Sequence, residues 1–488
     1  MKKNVLAPAV VFCSLLCVCA SAEAAESSPG APLTLTIAEA VVGSLASNRS
    51  LEVQRLAPAI AQLGELSAEA PFDTLLDGTL SGSSTRSPRG TDGALATNDA
   101  QKLALGASRL FATGTTVGVA LDATNSGSAD SASTRLGASL TQALLQGRGA
   151  DVNLAAVRQA RLDTAYSRSE LQGFTENLVA QVELAAWDYL LAIRRVSIVE
   201  SSLAIAESQF AEVRERISVG RMAEIEQAAA EAEVALRKEA LINARSARDA
   251  GRLNLLRLIN PPGAAPLNRD LTITDVPALP AADPASVDEH VALALLRRPE
   301  LAQARLHIER GDLALVQTRN GLLPRLDLFI SLGSTGYAAS FGSSLNLGDG
   351  HDVSAGLTLR LPLGNSAARA ADKRAVLSRR QAEISLANLA QLVEVDVRGA
   401  WIEAARLREQ VAATTATRRL QEEKQRAETE KFRVGKSTAF LVAQAQRDLL
   451  QAENDAVTAA AGLIKALVEC YRLEGTLLER RGISVADR

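Results

Sequence analysis

Two kinds of hydrophobic patterning alternate along this chain. From Leu178 onward, Val182, Ala185, Tyr189, Ala192, Val196, Val199, Leu203, Ala206, Phe210, Val213 and Ile217 recur in steps of three and four. That spacing is the seam of a helix packed lengthwise against others. No proline falls between Gly149 and Ile217, so one helix of roughly 70 residues, roughly 100 Å long, is expected. A rod of that length has to lie beside others. Its many alanines permit close, shallow contacts suited to helices that line a hollow tube, with a solid coiled coil as the plainer alternative. Elsewhere the period drops to two. Thr74–Ser84, Lys102–Phe111, Thr115–Asn125 and Thr134–Leu144 alternate in this way, and so do Arg325–Ser334 and Asp352–Leu361. Val117, Val119, Leu121 and Ala123 share one face, with Thr116, Gly118, Ala120 and Asp122 on the other. Strands of about ten residues are long enough to cross a bilayer when tilted. A soluble β-sandwich uses the same alternation. Faces rich in Gly, Ser and Thr, and strands that interrupt long helices, favour a membrane barrel.

The pattern occurs twice. SLEVQRL (Ser50–Leu56) aligns with ELAQARL (Glu300–Leu306) at an offset of 250, and the two tryptophans, Trp187 and Trp401, align at 214. ERISVGR (Glu215–Arg221) aligns with EKFRVGK (Glu430–Lys436) at 215, and behind them AAAEAE (Ala228–Glu233) matches AQAQRD (Ala443–Asp448). The expected organisation is a first repeat over 33–259, a Pro-rich linker over 260–285, a second repeat over 286–475 and a tail over 476–488. The falling offset leaves about 35 extra residues in the first copy, before Trp187. That is one additional hairpin: four strands in repeat 1, over about 74–144, and two in repeat 2, over about 325–361. Each Val-Gly pair falls where a long helix turns back on its partner. Glycine supplies the left-handed residue that closes a helix, and the neighbouring base complements the exposed carbonyls.

Composition narrows the reading. The formal net charge of the 488-residue chain is −3 and aromatics make up 3 %, so neither a basic nucleic-acid surface nor a stacking platform is expected. Lys2, Lys3, an apolar run from Val5 and small residues around Ala20–Ala24 read as an export signal over 1–22. A buried N-terminal helix is the alternative. Of four cysteines only Cys470 lies beyond that signal, which excludes an intrachain disulfide. Cys19 is a candidate for lipid attachment, with Leu16 three residues before it and a poorly fitting Val18.

Nearly the whole chain beyond the signal resembles the TolC-like outer-membrane efflux and secretion channels. The resemblance is carried by RRPELAQARLHIERGDLALVQTRNGLLPRLDL (Arg297–Leu328) and by the two Val-Gly tips, each followed by an A-x-A-[EQ] pattern. It implies a mostly α-helical protomer with a membrane β-barrel. Long antiparallel helices would form an α-helical barrel in a homotrimer, joined to one shared transmembrane β-barrel. It implies an outer-membrane exit duct, with its helices in the periplasm, that passively conducts substrates from an inner-membrane transporter through a periplasmic adaptor (membrane-fusion) protein. The implied partners are these proteins and outer-membrane lipid, without cofactor, metal or nucleic acid. Val219, Gly220, Arg221, Val434, Gly435 and Lys436 would face the adaptor. Glu224, Glu226, Leu441 and Gln444 would stand at the periplasmic gate. There the chain departs from the family, which commonly has aspartates where Leu441 and Gln444 stand. A ring built on Glu226 would favour cations, while a solvated first-turn pair is the ordinary role for Glu224 and Glu226. Family barrels commonly use four strands per chain, twelve in all. The added hairpin makes eighteen, or lies outside a twelve-stranded barrel; Lys102 and Arg109 sit awkwardly on a lipid face. Phe72, Phe111, Phe329, Tyr337 and Phe341 are the few aromatic candidates for a membrane girdle.

An enzyme is disfavoured. His290, His307 and His351 occur in no metal-ligand or nucleophile motif, and are expected to be ordinary surface or helix residues. A periplasmic coiled-coil adaptor or structural spacer is the alternative function. It shares export, hairpins and repeats, but does not place strands between the helices of each copy.

Overall fold

A computed structural model of the chain describes residues 32–89, 94–126, 131–263, 266–275 and 286–484. The export signal, Cys19 and part of the Pro-rich segment lie outside these residues. The chain begins with a short strand β1 (Leu33–Leu35), then helices α1 (Ile37–Ser47) and α2 (Arg49–Glu69). Four strands follow: β2 (Thr74–Arg89), β3 (Ala94–Leu110), β4 (Thr115–Ser126) and β5 (Ser131–Ala143). A single turn, α3 (Ala150–Asn153), leads into the long hairpin α4 (Ala155–Ser218) and α5 (Ile225–Ile259). Strand β6 (Leu271–Ile273) opens the second half, followed by α6 (Val287–Arg297), α7 (Pro299–Gly321), β7 (Arg325–Ala338), α8 (Phe341–Ser344) and β8 (Gly350–Arg360). The second long hairpin is α9 (Ser366–Arg433) and α10 (Ala439–Glu474), and α11 (Leu477–Arg480) ends the described chain.

The 64-residue α4 and the 68-residue α9 each pack against the returning helix of their own hairpin, and α4 also packs on α2, α7 and α10. Every seam position from Val182 to Ile217 is buried or half-buried, so the step of three and four is the contact stripe. No described helix is long and apolar enough to cross a membrane.

The offset of 250 has a structural counterpart. Thr36 caps α1 through the Glu39 amide (3.1 Å) and Ser286 caps α6 through the Glu289 amide (3.4 Å). One turn further, Arg55 donates to the Leu45 carbonyl (3.0 Å) and Arg305 to that of Leu295 (2.9 Å). Leu51 and Leu301 are both buried beneath these joints. The same capping chemistry therefore folds the start of both halves.

Six strands form one antiparallel sheet in the order β2-β3-β4-β5-β7-β8. They run to between 11 and 17 residues, longer than the ten expected. Its register lines up Leu80, Leu103, Leu105, Val117, Val119, Leu121, Leu136, Ala138, Ile330, Leu332, Val353 and Leu357 on one face. Asp77, Ser108, Asp122, Arg135, Ser139, Ser331, Asp352 and Ser354 stand on the other. Of the charged residues of β3, Asp99 and Arg109 fall on the apolar side near the two ends of the strand. Lys102 lies on the polar face, and Arg109 sits at the strand end, where it donates to the Phe72 carbonyl (3.1 Å) and stacks on Phe111. On the polar face Arg135 bridges to Asp352, and Phe329 lies over Gly356. Helix α8 folds back over the other face at one end, where Ser344 meets Thr134 and Ala123 and Ala132 are buried.

Two segments depart from the expected division. The Pro-rich segment contains β6, which pairs in parallel with β1 (Leu33 opposite Leu271, Leu35 opposite Ile273) and accepts a hydrogen bond from the Tyr189 hydroxyl at the Leu271 carbonyl (2.7 Å). Three-residue strands carry too little periodicity to be read in advance. The expected tail contributes Leu477 and Leu478 to the main core, with Val179, Val182, Tyr189, Leu255 and Leu256. Arg481 then grips the buried Glu183 with two hydrogen bonds (2.6 and 2.7 Å).

Candidate functional site: the two hairpin tips

The tips of the two hairpins are built alike. At the first, α4 ends at Val219 and Gly220 takes φ +71°; at the second, α9 ends at Val434 and Gly435 takes φ +73°. The amide of Arg221 closes on the Arg216 carbonyl (2.8 Å) and that of Gly220 on Ile217 (2.9 Å). Correspondingly, Lys436 closes on Lys431 (2.8 Å) and Gly435 on Phe432 (3.1 Å). This paired closure satisfies the last helix carbonyls and requires the left-handed residue that glycine supplies without strain. Val219, Arg221, Val434 and Lys436 are exposed. The two valines are 61 % and 68 % accessible, so each tip ends in a bare apolar side chain flanked by a base.

Behind the tips the return helices differ. Glu224 is the exposed N-cap residue of α5, with no side-chain capping bond, and Glu226 is half-buried in its first turn. In the second hairpin Thr438 caps α10 through the Leu441 amide (3.3 Å), and Leu441 and Gln444 are exposed. Ser437 donates to Glu428 (2.9 Å), whose carboxyl is held below its usual range chiefly by Lys431 and then by Ser437. The structure thus places the six tip residues and the four residues behind them at one end of the paired hairpins, on separate turns.

Sequence reasoning missed the tie between the tips. Arg216 lies over the Phe432 ring at 4.4 Å and donates to the Phe432 carbonyl at 3.5 Å, while also pairing with Glu212. Phe432 is buried. The cation sits at the carbonyl end of α9, where it complements the helix dipole and the ring face together. Further in, buried Glu233 accepts from Arg237 of its own helix and from Arg447 of the other hairpin (2.8 Å). Between these ties lies a cavity of about 210 Å³ lined by Val213, Glu233, Leu236, Phe432, Phe440 and Arg447. The only signal for the contact of Arg216 with Phe432 was the second and third positions of the repeated tip motif, whose partners lie across the hairpins.

The second feature missed is a buried polar cluster at the opposite end of repeat 2. His290, expected to be an ordinary surface or helix residue, is buried and its Nδ1 contacts the Glu474 carboxylate. Cys470 Sγ donates to the same oxygen at 3.6 Å, and the other carboxylate oxygen accepts from Thr476 (2.9 Å) and Arg480 (3.4 Å). His290, Cys470 and Glu474 offer ligand atoms within 4.8 Å of one another, but the carboxylate already has a cation in Arg480. Burial, helped by the Glu474 carboxylate, pushes the Cys470 thiol up to about 12, which leaves it protonated and a poor nucleophile.

Residues 291–476 match the family model described as outer membrane efflux protein. That match covers most of the second half of the chain, in keeping with the resemblance read from the sequence. Among solved structures, the Campylobacter jejuni CmeC outer membrane channel is 14 % identical, with a TM-score of 0.71 over 97 % of this chain and 94 % of that one. The open state of the Neisseria gonorrhoeae MtrE outer membrane channel is 19 % identical, with a TM-score of 0.66 over 90 % and 89 %. The outer membrane protein VceC from Vibrio cholerae is 14 % identical, with a TM-score of 0.69 over 90 % and 96 %. At such identities the likeness is one of fold. No curated protein sequence matches the chain.

Proposed function

We propose that three copies of this chain assemble into an outer-membrane exit duct for efflux or type I secretion. The helices form a periplasmic tunnel, and the strands close into one barrel through the membrane. The observation that carries this reading is one sheet, with a largely bare apolar face, built from strands that interrupt the helices in both halves of the long-hairpin chain. Leu76, Leu80, Val353 and Leu357 are between 63 % and 81 % exposed in the single chain. Such a face is stable against lipid and unstable against water. The duct carries out no chemistry on its cargo; an inner-membrane pump selects and drives it.

In this reading the two tips dock a periplasmic adaptor through Val219, Gly220, Arg221, Val434, Gly435 and Lys436. The zone of Glu224, Glu226, Leu441 and Gln444 is the gate. A single ring of three Glu226 carboxylates confers a preference for cations. The tie of Arg216 to Phe432 makes the two hairpins of one protomer move together. An adaptor or spacer role is less well supported, because the strands interrupt the helices and share one continuous sheet.

Replacing Gly220 and Gly435 together by Asp tests the docking role. Export is expected to be lost while heat-modifiable trimers persist in the detergent-extracted outer membrane. Normal export by the double variant removes the tips from the docking site. Release of the wild-type protein from membranes by salt alone sinks the channel reading itself.

A further inference from the structure

We infer that each protomer contributes six staves, so that three copies close an eighteen-stranded barrel through pairing of the β2 edge of one copy with the β8 edge of the next. This rests on the trimeric channel reading and adds the stave count and the seam. The hairpin β2–β3 is not an appendage to the sheet. Its register runs without a break from Thr74 opposite Arg109 toward the far end, and β3 continues it into β4 from Leu110 opposite Thr116 to Ala100 opposite Ser126. Over Leu76–Ser81 and Lys102–Leu105 its side chains follow the division of the other four strands, while Leu75 falls on the polar side and Arg86 and Asp99, toward the far end, fall on the apolar side. Leu76, Leu80, Leu103 and Leu105 fall on the apolar face; Asp77, Thr79, Ser81 and Lys102 fall on the polar one. A hairpin standing clear of the membrane has no reason to keep that division, and leaves Leu76 and Leu80, 77 % and 81 % exposed, facing water.

The two free edges fit each other. An even number of antiparallel strands sends β2 and β8 in opposite directions, so neighbouring copies meet edge to edge as an antiparallel pair. Both edges leave a run open to such pairing: no proline, lysine or arginine falls over Thr74–Thr85 of β2 or Val353–Leu359 of β8, with Arg86 and Pro88 lying only toward the far end of β2. Copying the same seam three times leaves no open edge, which a spanning sheet requires.

Girth is compatible with the same count. At about 4.8 Å between strands tilted by about 40°, eighteen staves enclose a circumference of roughly 110 Å and a diameter of roughly 36 Å, against roughly 24 Å for twelve. Twelve long helices, four from each chain, at 8–10 Å spacing enclose roughly 100–120 Å. Six staves per chain would bring barrel and tunnel to similar girth, although a tunnel of this size also carries the family's twelve-stranded barrels, and would give an exit opening of about twice the cross-section of a twelve-stranded one.

Disulfide trapping in the full-length protein tests the seam, since Cys470, the only cysteine among the described residues, is buried. Each of Thr79→Cys and Ser81→Cys is combined with each of Ser354→Cys and Thr358→Cys, all on the polar face, and the purified oligomer is oxidised. At least one combination is expected to give covalent dimers and trimers on denaturing gels. Electron cryomicroscopy of the wild-type trimer is expected to show a barrel about 36 Å across. Cross-linking of β8 to Thr116→Cys on β4 instead, with a barrel about 24 Å across, overturns the six-stave assignment and leaves the channel standing. A monomeric protein with no cross-linked species by either route overturns the channel reading and the stave count together.

Discussion

The two repeats end at equivalent junctions built from opposite chemistry. At the offsets of 250 and 215 that relate the copies, Ala40, Leu255 and Ile259 of the first correspond to His290, Cys470 and Glu474 of the second. All six are buried. Both junctions close on a left-handed residue, Asn260 at φ 48° and Gly475 at φ 70°. Asn260 donates to the Ser47 carbonyl (2.7 Å) and Asn48 to that of Leu258 (2.8 Å), which pins the first junction. Gly475 instead lies so close to Arg297 and Arg298 that a Cβ would sit 3.1 Å from the Arg297 backbone. The fold thus accepts either an apolar trio or a polar network in the same place. Thr476 and Arg480, beyond the end of the repeat, supply partners for Glu474, whereas the buried His290 Nε2 has none among the described residues, a cost that the apolar trio does not carry.

That difference sets the order of effects. Glu474→Ala leaves the buried His290 without its only partner among the described residues and should cost about 3–5 kcal/mol, measured by chemical denaturation of the detergent-solubilised protein. Leu255→Ala at the apolar junction should cost about 2–5 kcal/mol through its cavity. The sharper experiment converts the second junction into the first. The triple change His290→Ala, Cys470→Leu and Glu474→Ile should be neutral, or stabilise by about 1–4 kcal/mol, because a well-packed apolar trio avoids the desolvation of the ions. A loss as large as that of Glu474→Ala would show that the polar network is needed for the junction to form.

A smaller effect follows from Glu176 of α4, which faces the second junction. Burial raises its carboxyl from 4.5 to about 7, reinforced by Glu300 and opposed by Gln172, Arg472 and Arg298. A carboxyl whose pKa is higher in the folded state stabilises when protonated. Stability should therefore fall as pH rises from about 4.5 to about 7 and level off above, by at most about 3 kcal/mol. Glu176→Gln should flatten that slope, read from denaturation midpoints across this range. The smallest expected effect is chemical: with its thiol at about 12, Cys470 should resist a maleimide at pH 8 until the protein is unfolded. Rapid labelling of the native protein would mean that the second junction is open to water.

Much of the fold was legible because it rests on periodicity. The three-four seam gave α4 to within a few residues, and the period of two gave six strands with their apolar sides. The repeated Val-Gly motif located both tips, since only one backbone conformation closes a helix that way. What escaped was contact between residues with no common period. The tie of Arg216 to Phe432 spans 216 positions, and that of His290 to Glu474 spans 184. Neither histidine nor arginine announces its partner in a single sequence.

The sequence by itself therefore determined the local geometry: which stretches are long helices, which are strands, and where each long helix turns. These follow from backbone propensity and from burying one face of each element, both of which act over a few residues. Only the tertiary structure decided that the added hairpin continues the sheet, that the Pro-rich segment adds a strand beside β1, and that one junction is apolar while its twin is polar. Those outcomes depend on which elements come to lie side by side, and packing between distant segments is set by the sum of many weak contacts that no short stretch encodes.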